Sequence, residues 1–196
     1  MPPILPRRNA LAWSAAALAA LACRRASELP SLGGVGSFSL TDQAGRPFTP
    51  QALSGKVWAA AFMFTRCPTV CPRITRRMRA LQQAAKRDGV ALELVSFSVD
   101  PEHDTPEVLR AYAQKYEADL ATWRFLTGDV EVMRKTSEQG FKLAFEGKPT
   151  PSAEHFGLMH GSHLVLVDGA AQIRGYYRTG EDEQMAQLLK DAALLT

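Results

Sequence analysis

The chain has 196 residues, 46% of them apolar and 22% charged, with a formal net charge of +3. These proportions suit one globular domain with short appendages and exclude collagen-like, coiled-coil and wholly disordered chains. Three cysteines are too few for a disulfide scaffold, and without a dense Lys/Arg tract nothing points to nucleic acid.

Residues 1–23 read as a targeting segment. Arg7 and Arg8 precede the apolar run Leu11–Ala22. That run is short for a bilayer-spanning helix of about 20 residues and typical of a signal peptide. Ala20-Leu21-Ala22 supplies small residues for cleavage ahead of Cys23. Cys23 is then the lipid-bearing cysteine of a lipoprotein, part of an uncleaved anchor, or incidental. The favoured readings place the domain outside the cytoplasm, tethered to the membrane by its N-terminus. Residues 24–37, with Pro30, Gly33, Gly34 and Gly36, read as a flexible linker, and residues 38–196 as the domain.

Phe38–Thr41 is a candidate strand, Asp42–Gly45 a turn, and Pro47–Pro50 the return, which makes an N-terminal β-hairpin. The continuous apolar run Val57–Phe64 predicts a central strand covered on both faces. A helix is expected after Pro72, with Ile74, Met78, Leu81 and Ala85 on one face and its end at Asp88-Gly89. Leu92–Val99 is the next strand. Thr105-Pro106 opens a second helix, with Thr105 as N-cap. Trp123–Leu126 is a short strand and Val130–Gln139 a third helix. Leu164–Val167 and Ile173–Tyr177 are strands around a turn at Asp168-Gly169, and Glu181–Leu195 is the last helix. This order predicts an α/β sandwich with a mixed sheet.

The sharpest feature is Thr65-Arg66-Cys67-Pro68-Thr69-Val70-Cys71-Pro72, between a buried strand and a helix. Chemistry in open α/β sheets sits at the C-terminal ends of strands. On a helical turn, residues four apart have Cβ atoms about 5–6 Å apart, whereas a disulfide prefers about 3.8 Å. A metal held between two sulfurs tolerates the wider gap. Pro68 and Pro72 push their preceding cysteines towards extended geometry, so the helical picture is approximate. The helix N-terminus and the flanking Arg66 and Arg73 favour thiolate. A plain stabilising disulfide is the bland alternative, but so short a loop gains little from cross-linking.

Four histidines remain. His103 lies in an acidic loop and reads as exposed and inert, and His155 in a Pro-containing loop reads as solvated. His160 and His163 bracket the start of a strand. Positions three apart in a strand face opposite ways, so both are not expected on one metal, and spacing does not choose between them. Two thiolates and one imidazole form a soft, three-donor set. Such a set suits Cu(I) and falls short of the four ligands that close a structural zinc site.

These residues carry a family resemblance. The chain resembles the Sco/SenC family in Phe38–Gly45, Leu53-Ser54-Gly55-Lys56, Phe62–Pro72, Ser98–Glu102, Asp104-Thr105-Pro106, His160 and Ile173–Tyr177. The resemblance implies a thioredoxin-like fold, a central mixed β-sheet flanked by helices with an N-terminal β-hairpin extension. It implies that Cys67, Cys71 and His160 bind one copper ion, as Cu(I) or Cu(II), and that Asp100 lies near the cysteines. It also implies copper delivery to the binuclear copper A centre of cytochrome c oxidase subunit II, or reduction of that subunit's cysteine pair. Another extracytoplasmic cuproprotein, an upstream copper donor or a thiol reductant could serve as partner, with the chain itself a monomer. The chain departs from the family at Thr69, often acidic or Asn in relatives, at Gly161 after the histidine, and in His163, an extra potential ligand. The expected function is a copper-binding assembly factor. The alternatives are a thiol–disulfide oxidoreductase with Cys67 as attacking thiol and a peroxiredoxin-like peroxidase.

Overall fold

The computed structural model describes residues 29–143 and 163–196. In chain order they form β1 (Leu40–Asp42), β2 (Pro47–Phe48), β3 (Val57–Met63), α1 (Val70–Asp88), β4 (Leu92–Ser98), α2 (Pro106–Lys115), β5 (Trp123–Thr127), α3 (Val130–Lys135), β6 (His163–Val167), β7 (Ile173–Arg178) and α4 (Asp182–Leu195). The strands make one mixed sheet in the order β2-β1-β5-β4-β3-β6-β7. β3, β4 and β5 run parallel, and the other pairings are antiparallel. No described helix is long and apolar enough to cross a membrane.

All seven residues of β3 are buried, as its unbroken apolar run predicts. Its side chains alternate between two cores. Val57, Ala59, Ala61 and Met63 meet α1, α2 and α4; Trp58, Ala60 and Phe62 meet α3 and the N-terminal segment. On that second face Ala60 leaves room for an aromatic cluster. Phe62 stacks on Phe97 at 5.0 Å between centroids and meets Phe141 edge-on at 5.2 Å.

The hairpin forms where expected and extends the sheet by pairing β1 with β5. Its turn is fixed by Asp42, whose Oδ1 accepts the amides of Ala44 and Arg46. Gly45 takes a positive φ of 77° there. Thr105 caps α2 by accepting the Val108 N–H, with Pro106 opening the helix. α1 ends as expected at a left-handed Gly89.

Two expectations change. Residues 29–37 are docked on the domain. Leu32 N–H bonds Ile173 O at 2.9 Å, Ile173 N–H bonds Gly33 O at 2.8 Å, and Val35 is 1% exposed. The β7 edge supplies the backbone partners that composition alone does not reveal. The third helix is regular only to Lys135 and widens to a π-type turn over Thr136–Gly140. Thr136 Oγ1 donates back to Val132 O at 2.7 Å, a bond that competes with regular helix. Gly140 closes that turn against the docked segment, where an added Cβ would lie 2.3 Å from Val35 O. Gly140→Ala is therefore expected to destabilise the domain by about 1–3 kcal/mol through overpacking. Urea unfolding checks this, with the midpoint falling and the slope unchanged.

The parallel register sets Met63 beside Ser98, so the loops after β3 and β4 leave the sheet together. The two cysteines stand in the first of these loops and at the helix start that follows it.

Candidate metal centre

Cys67 lies in the loop between β3 and α1, and its N–H reaches Phe64 O at 3.4 Å. α1 starts at Val70, so Cys71 is already helical, earlier than the expected start after Pro72. Pro72 is tolerated because the first helical turn has amides without intrahelical acceptors, and proline lacks one of them. That placement outweighs the extended preference that a following proline imposes on Cys71. Both thiols are free, Cys67 being 6% exposed and Cys71 0%.

Thr69, at the N-cap of α1, makes no side-chain capping bond. The sulfur of Cys67 takes that role. It accepts the Cys71 N–H at 3.4 Å and is met by the amides of Thr69 and Val70. Hydrogen bonding from the Cys71 thiol and from these helix-start amides holds the Cys67 thiol well below the ordinary range, against the opposing effect of burial. The Cys71 thiol is pushed up, first by its bond to Cys67 and then by burial. The pair is thus biased in opposite directions, Cys67 towards thiolate and Cys71 towards thiol. Arg66, expected to favour the thiolate, has its guanidinium paired with another residue.

That other partner is Asp100, 4% exposed, whose Oδ2 accepts Arg66 Nε at 2.9 Å and Nη2 at 2.6 Å. The next link is Asp104, which is fully buried. Its carboxylate accepts the Thr65 N–H at 3.0 Å, the Thr65 hydroxyl at 2.5 Å and the Ser98 hydroxyl at 2.6 Å. The two residues before Cys67 are therefore each clamped to the loop after β4, Thr65 by Asp104 and Arg66 by Asp100. Asp100 lies near the cysteines as the resemblance implied, tied in through Arg66. The helical side is braced separately. Thr75 Oγ1 donates to Cys71 O at 2.8 Å and shares a hydrogen bond with the Tyr112 hydroxyl at 2.9 Å.

His103 is exposed, as expected, but it has a partner. Its Nδ1 lies 3.0 Å from Asp104 Oδ1. A carboxylate only accepts, so the ring donates to it from Nδ1. His163 opens β6, and burial followed by the charge of Arg178 lowers its pKa. Leu164 and Leu166 share the core of the cysteines, whereas Val165 and Val167 belong to the opposite one. Strand alternation puts His163 with the latter, so the extra ligand raised from the sequence stands on the wrong face of the sheet. His155, His160 and Cys23 lie outside the described residues.

Asp100, His103 and Asp104 also cluster, with ligand atoms within 4.8 Å of one another. Their carboxylates are already occupied by Arg66, Thr65 and Ser98, so the group braces the loops. Sequence reasoning reached Asp104 only as part of a motif. Its role depends on the pairing of β3 with β4, which no local pattern announces.

Residues 28–193 match the family model described as SCO1/SenC. The chain is 40% identical over 155 residues to the SCO1 protein homolog of Bacillus subtilis (strain 168), covering 79% of this chain and 78% of the relative. BsSco, described as a member of the Sco family of cytochrome c oxidase assembly proteins, superposes with a TM-score of 0.72 at 32% identity. That match covers 85% of this chain and 97% of that one. Yeast Sco1, solved with copper bound, superposes with a TM-score of 0.67 at 25% identity, covering 82% and 88%. The expected architecture is present: a thioredoxin-like α/β fold with a seven-stranded mixed sheet. The free cysteine pair at the start of α1, the loops that clamp it and the match over nearly the whole domain agree, and the chain belongs to the Sco/SenC family.

Proposed function

We propose that this protein is a copper-binding assembly factor that carries one copper ion on Cys67, Cys71 and His160 to the binuclear copper A centre of cytochrome c oxidase subunit II. The observation that carries the reading is the pair of free, buried thiols at the start of α1, one of them biased to thiolate. Soft sulfur donors suit Cu(I), zinc and iron–sulfur clusters, and a set of only three donors favours Cu(I) over a closed structural zinc site. A relative solved with copper bound and another described as an oxidase assembly protein support the same reading.

Cys67 offers a ready thiolate. Cys71 gives up its proton when the ion arrives, so loading releases a proton. His160 adds the third donor. A three-donor site leaves a position through which a partner's thiolate can enter, and copper passes by stepwise exchange of ligands. The N-terminal segment would tether the domain on the extracytoplasmic side, where oxidase assembly needs it.

The contrast between the two thiols favours a second reading, thiol–disulfide exchange. The Cys67 thiolate attacks a partner disulfide and forms a mixed disulfide, releasing one partner thiolate. Cys71 then loses its proton and attacks the Cys67 sulfur, releasing the second. The pair ends as a disulfide and the partner gains two electrons.

The test mixes the copper-loaded protein with the reduced, copper-free soluble domain of oxidase subunit II, separates them, and measures copper in each. Copper is expected in the acceptor. His160→Ala is expected to abolish this transfer while still reducing an oxidised acceptor. Transfer undiminished by His160→Ala would remove the histidine from the site, and acceptor reduction without any copper transfer would favour the second reading.

A further inference from the structure

One stretch of chain grips both flanks of the cysteine segment. Asp100 and Asp104, in the loop after β4, hold Arg66 and Thr65 just ahead of Cys67. Further along the same stretch, α2 carries Tyr112, whose hydroxyl meets Thr75 Oγ1 of α1 at 2.9 Å. Thr75 Oγ1 in turn donates to Cys71 O at 2.8 Å. A threonine hydroxyl has one proton, and here Cys71 O takes it, so the Tyr112 hydroxyl is the donor to Thr75. The donation runs from Tyr112 through Thr75 and ends on the backbone of Cys71.

This second grip is built into the core. Thr75 is 2% exposed and Tyr112 6%. The Tyr112 ring packs on Tyr116 at 4.6 Å between centroids and meets Phe125 of β5 edge-on at 6.3 Å. A buried hydroxyl that loses its partner is costly, so the chain of bonds resists any shift of Cys71 that would break it. The start of α1 has little other support. Thr69 makes no side-chain capping bond, and the first turn holds no acidic residue.

The two cysteines are thus held from opposite sides, and residues 100–112 set the span between them. Both thiols are free, so their sulfurs stand at non-bonded distance. A disulfide needs the sulfurs about 2.05 Å apart. An ion bound to both at about 2.3 Å, as in a zinc thiolate, leaves them much farther apart. A grip that keeps the span open therefore favours the ion and opposes the disulfide. We propose that Thr75 and Tyr112 are positioning residues that keep Cys71 from closing on Cys67 and so set the pair's balance between dithiol and disulfide. The inference deepens the proposed function and rests on it only for the metal, because the balance itself is a property of the two thiols.

The test reads that balance directly. The reduced full chain, in non-ionic detergent, is equilibrated in buffers of reduced and oxidised glutathione. Oxidised glutathione takes two electrons and two protons from the pair, which gives two molecules of reduced glutathione and the Cys67–Cys71 disulfide. After acid quenching and alkylation, the tryptic peptide Cys67–Arg73 reports the fraction oxidised. Thr75→Val keeps the shape and removes both bonds, and Tyr112→Phe removes only the outer one. The equilibrium constant for disulfide formation is expected to rise about tenfold in Thr75→Val, a shift of about 30 mV, and by less in Tyr112→Phe. Thr75→Ser keeps the hydroxyl and should match the wild type. Cu(I) affinity, read by competition with a chelator, should fall about tenfold in Thr75→Val. An equilibrium constant unchanged in both Thr75→Val and Tyr112→Phe would overturn the proposal, even if both melt at lower temperature, because the grip would then serve only the fold. So would a shift in Thr75→Ser as large as that in Thr75→Val. Failure of the wild type to hold copper would count against the proposed function, and the redox shift would still decide the role of the grip.

Discussion

Replacing Asp104 by alanine is expected to destabilise the domain by about 3–5 kcal/mol, the usual cost of removing one partner from a buried charged network. The carboxylate is fully buried and satisfies the Thr65 amide, two hydroxyls and the His103 ring. Alanine leaves the buried Ser98 hydroxyl and the part-buried Thr65 N–H without their acceptor. The same change frees the strand end that positions Cys67. Loss of a supporting partner of this kind typically weakens metal binding by about 10–100-fold. Chemical denaturation and competition with a Cu(I) chelator measure the two effects. His103→Ala is a useful contrast: it removes one exposed contact to the same carboxylate and should cost under about 1 kcal/mol. If Asp104→Ala proves no worse than His103→Ala, the clamp does not hold the loop.

The second large effect is in the pH profile of thiol alkylation. An ordinary cysteine titrates near a pKa of about 8.5. The bonds from Cys71 and the helix-start amides lower the Cys67 value. Iodoacetamide should therefore modify Cys67 at a rate that is already flat at neutral pH and declines only in the acid range. Cys71, whose value is raised, should resist modification throughout. At pH 6 the thiolate fraction at Cys67 should exceed that of a free thiol by about two orders of magnitude. Absolute rates will be slowed by burial, so the midpoint of the profile is the quantity to read. In Cys71→Ala the largest cause of the shift is lost, and the midpoint should move up while the amides keep it below the free value. A wild-type midpoint at or above the free value would contradict the site's electrostatics. The linked stability has a definite sign. A lowered folded pKa makes the Cys67 thiolate stabilising above the unfolded value, and that contribution is lost as pH falls through the folded one. Cys71 acts oppositely, contributing below the unfolded value and losing that contribution as pH rises through its own.

Local signals carried most of the fold. The apolar run of β3, the Asp42–Gly45 turn, the Thr105-Pro106 helix start and the Gly89 stop each reflect chemistry within a few residues, and each stands where the sequence placed it. What was misjudged depends on distant partners. The segment 29–37 looks like a tether by composition, but its backbone pairs with the β7 edge about 140 residues away. Arg66 looks like a thiol activator beside Cys67, but Asp100 takes its guanidinium. His163 was a competing ligand until strand alternation assigned its face. The early start of α1 turned on two proline rules in conflict, and the helical one prevailed. The cysteine pair itself was legible, because two cysteines between a buried strand and a helix are rare enough to stand out. The clamp formed by Asp104 was not, because it exists only once β3 and β4 are in register.

The most direct test of the copper-carrier reading is metal content. The reduced full chain is loaded with Cu(I) under anaerobic conditions, freed of excess, and assayed for copper per chain beside Cys67→Ala, Cys71→Ala and His160→Ala. One copper per wild-type chain, lost or strongly weakened in all three variants, is the predicted result. A reduced wild-type protein that retains no copper would contradict the account and leave thiol–disulfide exchange as the work of the Cys67–Cys71 pair.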